Sequence, residues 1–290
     1  MTKNTIDIIP SRLTDLDKVL LRGLCRQPWA KDREIAEGEK IKLSTVTASK
    51  NRMRRNNVIQ KIYIPTYHRL GYPLISFSQL QMKPTKELNI KEILNATDGT
   101  VIPFIIVDTL NAFVMAYHST YSDYKAFERK FEGPWMHDIQ CLDGAKCMVN
   151  FDFTNTINKV FFSEEYNVNR QSKVNTALHK FKSKIQKRAF NGLIRNPEKF
   201  TNDLIKPLKI TRQSIQKTKD SLKEQGIFDR KILVAVEKIG INLLSIIKIR
   251  RKSISDKDIF VINKTLRPFY YWVFDDIHII ITGDVNYNEL

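Results

Sequence analysis

Cysteine, glycine and proline are all scarce in this 290-residue sequence, with three, ten and ten residues respectively. Three cysteines, an odd number, do not build a disulfide framework, so we expect a reducing compartment. No apolar run approaches the 18 residues that a membrane-spanning helix needs. The N-terminal sequence MTKNTIDIIPSRL also lacks the basic and apolar regions of a secretory signal. We therefore expect a cytoplasmic protein with no membrane partner.

Acidic residues are also in deficit, with 31 Asp and Glu against 48 Lys and Arg and a formal net charge of +17. A hydrophobic content of 42% nevertheless predicts a folded chain and excludes a disordered basic tail. Residues 40–69 carry eight basic side chains and no acid, and residues 170–223 carry fifteen against three acids. A solvated helix face usually mixes both signs, so these runs favour a polyanionic partner.

Motifs for catalysis and for metal binding are missing as well. The sequence has no glycine-rich phosphate loop, no Gly-x-Ser-x-Gly elbow and no convincing pair of acids. Its five histidines are scattered, with no two at the spacing of metal ligands. We therefore expect that the protein is not an enzyme and that it holds neither a cofactor nor a metal.

What the sequence does contain is an internal repeat at an offset of 169 residues. This offset aligns residues 20–72 with 189–241 without a gap. Identical residues at matched positions include Gly23/Gly192, Leu24/Leu193, Pro28/Pro197, Lys50/Lys219 and Gly71/Gly240. The alignment predicts two copies of one supersecondary unit.

Each copy has the pattern of a winged helix-turn-helix. In the first, Thr14 is a plausible N-cap for helix one, and a short second helix can start at Asp32. Ser44 can cap a third helix that runs to about residue 56. Asn57 and its counterpart Gly226 then suit a left-handed closing position, and an apolar extended run follows as a minimal wing.

The third helix of each copy presents polar and cationic residues outward, as a recognition helix in a DNA major groove does. Thr and Ala can touch a thymine methyl, Arg can bridge guanine O6 and N7, and Gln can pair with adenine. In the first copy the predicted DNA-binding residues are Ser44, Thr45, Thr47, Ala48, Lys50, Asn51 and Arg52, with Arg54, Arg55 and Lys61 on phosphates. In the second copy they are Thr211, Arg212, Gln213, Gln216, Lys217, Lys219 and Lys223. The alternative is that both units are protein–protein modules.

The segments after each copy predict antiparallel sandwiches. The first reads as β-α-β-β-α-β, the order of a ferredoxin-like domain, and ends in a hairpin of residues 135–141 and 146–153 across Asp143-Gly144. The second lacks the last helix and strand, so we expect its open sheet to pack on the first sandwich or on another chain. Between the copies, residues 174–189 have the spacing of a basic amphipathic helix.

The predicted fold class is therefore α+β, with two winged helix-turn-helix units that are each followed by a ferredoxin-like sandwich, the second one truncated. The predicted domains are residues 1–66 (first winged unit), 67–165 (first sandwich), 166–236 (basic linker helix and second winged unit) and 237–290 (partial second sandwich).

The sequence resembles the Lrp/AsnC family of feast-famine transcription regulators. The residues that carry the resemblance are Leu13-Thr14-x-Leu16-Asp17-x-x-Leu20-Leu21, Ile35-Ala36, Ser44-x-Val46, Asn57-Val58-Ile59 and Leu70-Gly71-Tyr72. The resemblance implies DNA binding by winged helices, self-association through ferredoxin-like domains and a small-molecule effector.

Two departures from the family are visible. The chain looks like a tandem, whereas family members usually have one copy. The sequence Asp108-Thr109-Leu110-Asn111 also stands where many members have a Gly-x-Tyr/Phe-Asp turn, which weakens the analogy with an amino-acid effector.

We therefore predict a transcription regulator that binds double-stranded DNA with both winged units. One alternative is a sequence-tolerant architectural or RNA-associated protein. Another is a tetrapyrrole-modifying enzyme, since a few relatives of this architecture decarboxylate haem precursors.

Overall fold

The computed structural model describes residues 13–81, 99–107, 111–130, 136–143, 148–162, 177–250, 255–274 and 277–284. Within these ranges, no helix is long and apolar enough to cross a lipid bilayer. The described residues form two three-helix units and antiparallel sheets, which is the predicted α+β class.

The first winged unit consists of three helices and a strand. These are α1 (Asp15–Arg26), α2 (Asp32–Gly38), α3 (Leu43–Arg55) and β1 (Ile59–Pro65). The predicted cap of α1 is confirmed, because the Thr14 hydroxyl accepts the Asp17 N–H at 3.2 Å and the Asp17 carboxylate accepts the Thr14 N–H at 3.0 Å. The buried residues that hold the helices together include Leu20, Leu24, Ile35, Val46 and Met53.

The start of α3 differs from the prediction. The helix begins at Leu43, and the preceding residue, Lys42, makes no side-chain capping bond. The prediction that Ser44 is the cap is therefore wrong, because Ser44 already lies in the first turn. The reason lies in the turn between α2 and α3, where the Ile41 N–H donates to the Ala36 carbonyl at 2.9 Å. This bond places Lys42 immediately before the first turn of α3.

The first sandwich follows the predicted order. Its elements are β2 (Leu74–Gln81), β3 (Thr100–Val107), β4 (Asn111–His118), α4 (Tyr121–Lys130) and β5 (Met136–Asp143). The sheet order is β3-β4-β2-β5, all antiparallel, which is the ferredoxin-like arrangement. The helix suggested between the first two strands falls at residues 82–98, outside the described residues. Two further elements, β6 (Met148–Phe151) and α5 (Thr154–Phe161), complete this part of the chain.

The second winged unit repeats the first. Its elements are α6 (Lys184–Arg195), α7 (Thr201–Leu208), α8 (Arg212–Glu224) and β7 (Phe228–Val234). Each begins 169 residues after its counterpart in the first unit. The predicted closing positions are confirmed, with φ of 51° at Asn57 and 64° at Gly226.

The basic helix before the second unit is shorter than predicted. Helix α6 begins at Lys184 after the Ser183 N-cap, so the prediction of a helix from residue 174 is wrong for residues 177–183. Contacts with Arg69 hold this stretch outside the helix. The Arg69 Nε–H donates to the Ala177 carbonyl at 2.9 Å, and the His179 N–H donates to the Arg69 carbonyl at 2.7 Å.

The second sheet borrows a strand from the first half of the chain. Its own elements are β8 (Leu243–Arg250), α9 (Asp256–Leu266), β9 (Tyr270–Phe274) and β10 (Ile277–Asp284), and the sheet order is β6-β9-β10-β8. The predicted hairpin of β5 with β6 is therefore wrong: β5 pairs with β2, and β6 pairs with β9. Aromatic contacts explain why β6 joins the second sheet. The ring of Phe151 lies 5.0 Å from that of Tyr270, and Phe153 stacks on Phe269 at 4.8 Å.

The two sheets cover each other within the chain. Phe77 of the first sheet lies 5.1 Å from Trp272 of the second, and Phe104 lies 5.1 Å from Tyr270. All four side chains belong to one cluster, in which Trp272 is fully buried. The first sheet therefore covers the second, as expected.

The strands β1 and β7 join the two winged units as an antiparallel pair. The register centres on Ile62 opposite Lys231, two residues related by the offset of 169. The same offset exchanges the outer pairs, Ile59 with Val234 and Pro65 with Phe228. A pairing in which equivalent residues exchange partners is that of an approximate twofold axis.

Candidate nucleic-acid interface

Helix α3 buries one side and presents several short, uncharged side chains on the other. Val46, Ser49 and Met53 are buried. Thr45 is half-buried, and the exposed predicted residues are Ser44, Thr47, Ala48 and Asn51. The structure therefore brings the uncharged part of the predicted set to one accessible helix face.

Three of the four cations predicted on α3 are paired with carboxylates. Lys50 pairs with Asp32. One nitrogen of the Arg52 guanidinium contacts both Asp17 oxygens, at 2.6 and 2.7 Å. Arg54 lies 3.3 Å from Glu198 of the second unit. The fourth, Arg55, is exposed and has no ion pair among the described residues.

Asp17 is the buried anchor of this arrangement, with 2% of its side chain exposed. Its carboxylate accepts hydrogen bonds from Ser49, Arg52 and Thr14. Burial alone would raise the pKa of Asp17, but the hydrogen bonds outweigh it and hold that pKa below its usual value. Arg52 is thus tied to the core of its own unit.

Among the described residues, helix α8 leaves more of its predicted cations without ion pairs than α3 does. Arg212, Gln213, Gln216 and Lys217 are exposed, and neither cation has an ion pair among the described residues. The Gln216 amide donates to Asp220 at 2.9 and 3.0 Å. Thr211 accepts the Ser214 N–H at 3.2 Å and is the N-cap of the helix.

Two further predicted cations, Lys219 and Lys223, lie near Trp29 of the first unit, at the contact between the two winged units, and Lys223 is also exposed to solvent. Lys223 and Arg230 lie over the ring of Trp29, at 4.6 and 5.0 Å from its centroid, and Lys219 lies at 5.8 Å. Burial lowers the pKa of Lys219. The Trp29 indole also donates to Asp229 at 2.8 Å.

Lys61 lies on the other side of the contact between the two winged units, at the position equivalent to Arg230. Burial lowers its pKa to about 8; Glu198 opposes the shift, while Arg54 and Arg230 add to it. The Glu198 carboxylate accepts the Lys61 backbone N–H. Lys61, predicted as a phosphate contact, is therefore half-buried between the units.

Sequence reasoning missed three residues that shape this surface: Asp17, Trp29 and Glu198. A signal was present for two of them, because Trp29 and Glu198 occupy equivalent positions at the offset of 169. Both cross to the other unit, and their partners are equivalent as well: Arg54 and Lys61 on one side, Lys223 and Arg230 on the other. The arrangement leaves two equivalent helix faces with hydroxyl, amide and guanidinium groups available to a ligand.

No family model and no curated protein matches the chain. Among solved structures, LrpC of B. subtilis is 15% identical, with a TM-score of 0.36, and covers 45% of this chain and 92% of its own. A transcriptional regulatory protein of the AsnC family from Pyrococcus furiosus is 22% identical, with a TM-score of 0.34, and covers 45% and 88%. The siroheme decarboxylase NirDL, in complex with an iron-uroporphyrin III analogue, is 11% identical, with a TM-score of 0.48, and covers 93% and 82%.

The last likeness corrects one expectation. We expected that the protein is not an enzyme, whereas two solved structures that match over nearly the whole chain are those of a siroheme decarboxylase. That exclusion is withdrawn. The absence of catalytic motifs in a sequence does not exclude catalysis on a fold that hosts it elsewhere.

At identities of 11% to 22%, these likenesses concern the fold alone. The assignment of a winged helix-turn-helix followed by a ferredoxin-like sheet rests on the elements and the strand order of this chain itself.

Proposed function

We propose that this protein is a transcription regulator that binds duplex DNA with α3 and α8. In this proposal the two winged units of one chain bind DNA as the two subunits of a symmetric dimer do. The observation that carries the proposal is the β1–β7 register, which centres on the equivalent residues Ile62 and Lys231. An approximate twofold axis between two helix-turn-helix units suits two half-sites about 34 Å apart on one face of B-DNA.

The side chains available on the two helices differ, and this supports an asymmetric DNA site. Arg212 and Lys217 of α8 are exposed without ion pairs among the described residues, whereas Lys50 and Arg52 of α3 are held by carboxylates. We infer that α8 makes the stronger phosphate contacts. The α3 face, with Thr47, Ala48 and Asn51, would contribute contacts to base edges.

The sandwiches serve, in this proposal, to hold the two winged units in register. Their inner faces already cover each other, so self-association of the chain would use other surfaces. The division into residues 1–66, 67–165, 166–236 and 237–290 is part of the proposal. Limited proteolysis, with the stable fragments identified by mass spectrometry, tests it.

The decisive experiment is a titration of a labelled duplex at several salt concentrations. Arg212→Gln/Lys217→Gln should lower the log-log salt slope by about 1.8, since each phosphate contact contributes about 0.9. The matched control is Lys257→Gln/Lys264→Gln, which removes the same charge from exposed positions on α9. Equal slopes for the two variants would place the binding surface elsewhere.

Competition separates the regulator from the sequence-tolerant alternative. Genomic fragments selected by footprinting should outcompete a random duplex by about 10³-fold or more, as specific regulators do. A random duplex that competes equally would favour an architectural protein. Single-stranded RNA that competes better than either duplex would favour an RNA-associated one.

A further inference from the structure

The outer face of α6 carries a second cluster of cations, separate from the recognition helices. Lys184, Lys187, Arg188 and Arg195 are exposed, and none has an ion pair with a described carboxylate. They line a cavity of about 450 Å³ together with the amides of Asn191 and Asn196 and the side chain of Leu208. None of the described residues that line it is acidic. We call this surface the α6 groove.

The equivalent face of the first unit is neutralised. On α1, Arg26 pairs with Glu39 at 2.8 Å, and Arg22 lies 3.5 Å from the same carboxylate. The offset of 169 replaces Glu39 by Leu208. It also replaces Asp15 by Lys184, so the second unit has lost two acids and gained a cation on this face.

A helix also covers the face of the first unit. Phe161 at the end of α5 lies under Lys18, and Phe162 lies 4.3 Å below the guanidinium of Arg22. Lys18 and Arg22 therefore have aromatic partners within the chain. Their counterparts in the second unit, Lys187 and Asn191, line the α6 groove instead.

The cluster works against the stability of its own helix. Lys184 and Arg188 are like charges at i and i+4, a spacing that destabilises a helix. Lys184 and Lys187 also lie in the first turns, where the helix dipole favours anions and not cations. An arrangement that is unfavourable in the free protein becomes favourable when an anion binds.

We propose that the α6 groove binds the phosphate backbone of a second nucleic-acid segment. The inference rests on the proposed function, since it makes the chain a protein that holds two segments at once. Four cations and two amide donors suit phosphate oxygens. Among the described lining residues, Leu208 is the one large apolar side chain, which gives an amphipathic acidic helix little to pack against.

The second segment is distinct because of the way α6 packs. Ala189 and Leu193 of α6 lie in one buried cluster with Ile215 and Leu222 of α8. The cations of α6 lie on the side of the helix away from that cluster, and the recognition face of α8 points away from it in turn. One straight duplex therefore does not reach both faces.

The test is a capture experiment with the full chain. Protein is bound to an immobilised duplex, washed, and offered a labelled random duplex of 20 base pairs at several salt concentrations. Wild type should capture the second duplex. Lys187→Gln/Arg188→Gln should lower the salt slope of capture by about 1.8 and leave binding of the first duplex unchanged.

Controls separate the possible outcomes. Lys257→Gln/Lys264→Gln should capture as wild type does, and circular dichroism checks that each variant is folded. Capture that is equal in the groove variant and in wild type would overturn the inference. Polyglutamate binding that is lost in the groove variant, without capture of DNA by wild type, would overturn it in favour of an acidic protein partner. If Arg212→Gln/Lys217→Gln leaves binding of the first duplex unchanged, the proposed function fails instead.

Discussion

The two sides of the seam between the winged units have the same backbone and different chemistry. On one side Trp29 packs against Tyr63 and Phe228 and lies under Lys223 and Arg230. On the other side, the equivalent residue Glu198 pairs with Arg54, and both side chains are about one-third exposed. An aromatic ring buries apolar area, whereas a partly exposed ion pair contributes little after solvent screening. A symmetric register thus does not imply symmetric energetics.

Replacing Trp29 tests this comparison with the largest expected effect. Trp29→Ala should lower the free energy of unfolding by about 3 kcal/mol, through lost packing, a lost hydrogen bond to Asp229 and lost cation–π contacts. Glu198→Ala, its equivalent, should cost about 1–2 kcal/mol, because it removes a partly exposed ion pair and the acceptor of the Lys61 N–H. Urea titration followed by circular dichroism measures both. Equal losses would mean that the seam is energetically symmetric.

A second asymmetry lies inside the units. Asp17 of the first unit is a buried carboxylate bound by Ser49 and Arg52, and its equivalent in the second unit is the neutral, buried Gln186. Asp17→Ala should cost about 2–3 kcal/mol, because Arg52 and Ser49 lose a charged acceptor. Gln186→Ala should cost about 1 kcal/mol. The same urea titration compares the two, and a larger loss for Gln186→Ala would contradict the assignment of Asp17 as the anchor.

The winged units were predictable because local signals agreed with the repeat. Thr14 as a cap, and Asn57 and Gly226 as left-handed closing residues, are short-range features that the sequence displays directly. For such elements, periodicity and capping act within a few residues, so no tertiary knowledge is needed.

The failures have a common cause in long-range contacts. The crossing of β6 into the second sheet depends on Phe151 and Phe153 meeting Tyr270 and Phe269, more than 110 residues away. Likewise, the extended stretch before α6 depends on Arg69. The pairing of the cations on α3 also required tertiary information, because Asp17 and Glu198 are remote from α3 in sequence.

The acid dependence of stability gives a third and smaller test of the two units. The folded pKa of Asp17 lies below its unfolded value of 3.8, so its stabilising contribution is complete above that value and is lost as the pH falls through the folded pKa. The difference in unfolding free energy between wild type and Asp17→Asn should therefore shrink as the pH falls below 3.8. Gln186 does not titrate, so Gln186→Ala should show a constant difference over the same range. A constant difference for Asp17→Asn would contradict the charged anchor.

The smallest effect concerns single cations on the two recognition helices. Lys217 on α8 is exposed without an ion pair among the described residues, whereas Lys50 on α3 is held by Asp32. A lysine that stays paired with its carboxylate neutralises no phosphate, so it releases no counterions from DNA when the complex forms. Lys217→Gln should lower the log-log salt slope of duplex binding by about 0.9, and Lys50→Gln by clearly less. Asp32→Asn sharpens the comparison: by freeing Lys50, it should raise the slope of the first unit toward that of the second. A slope that falls equally in Lys217→Gln and Lys50→Gln would mean that DNA displaces Asp32 without cost, and that the two recognition helices bind phosphate alike.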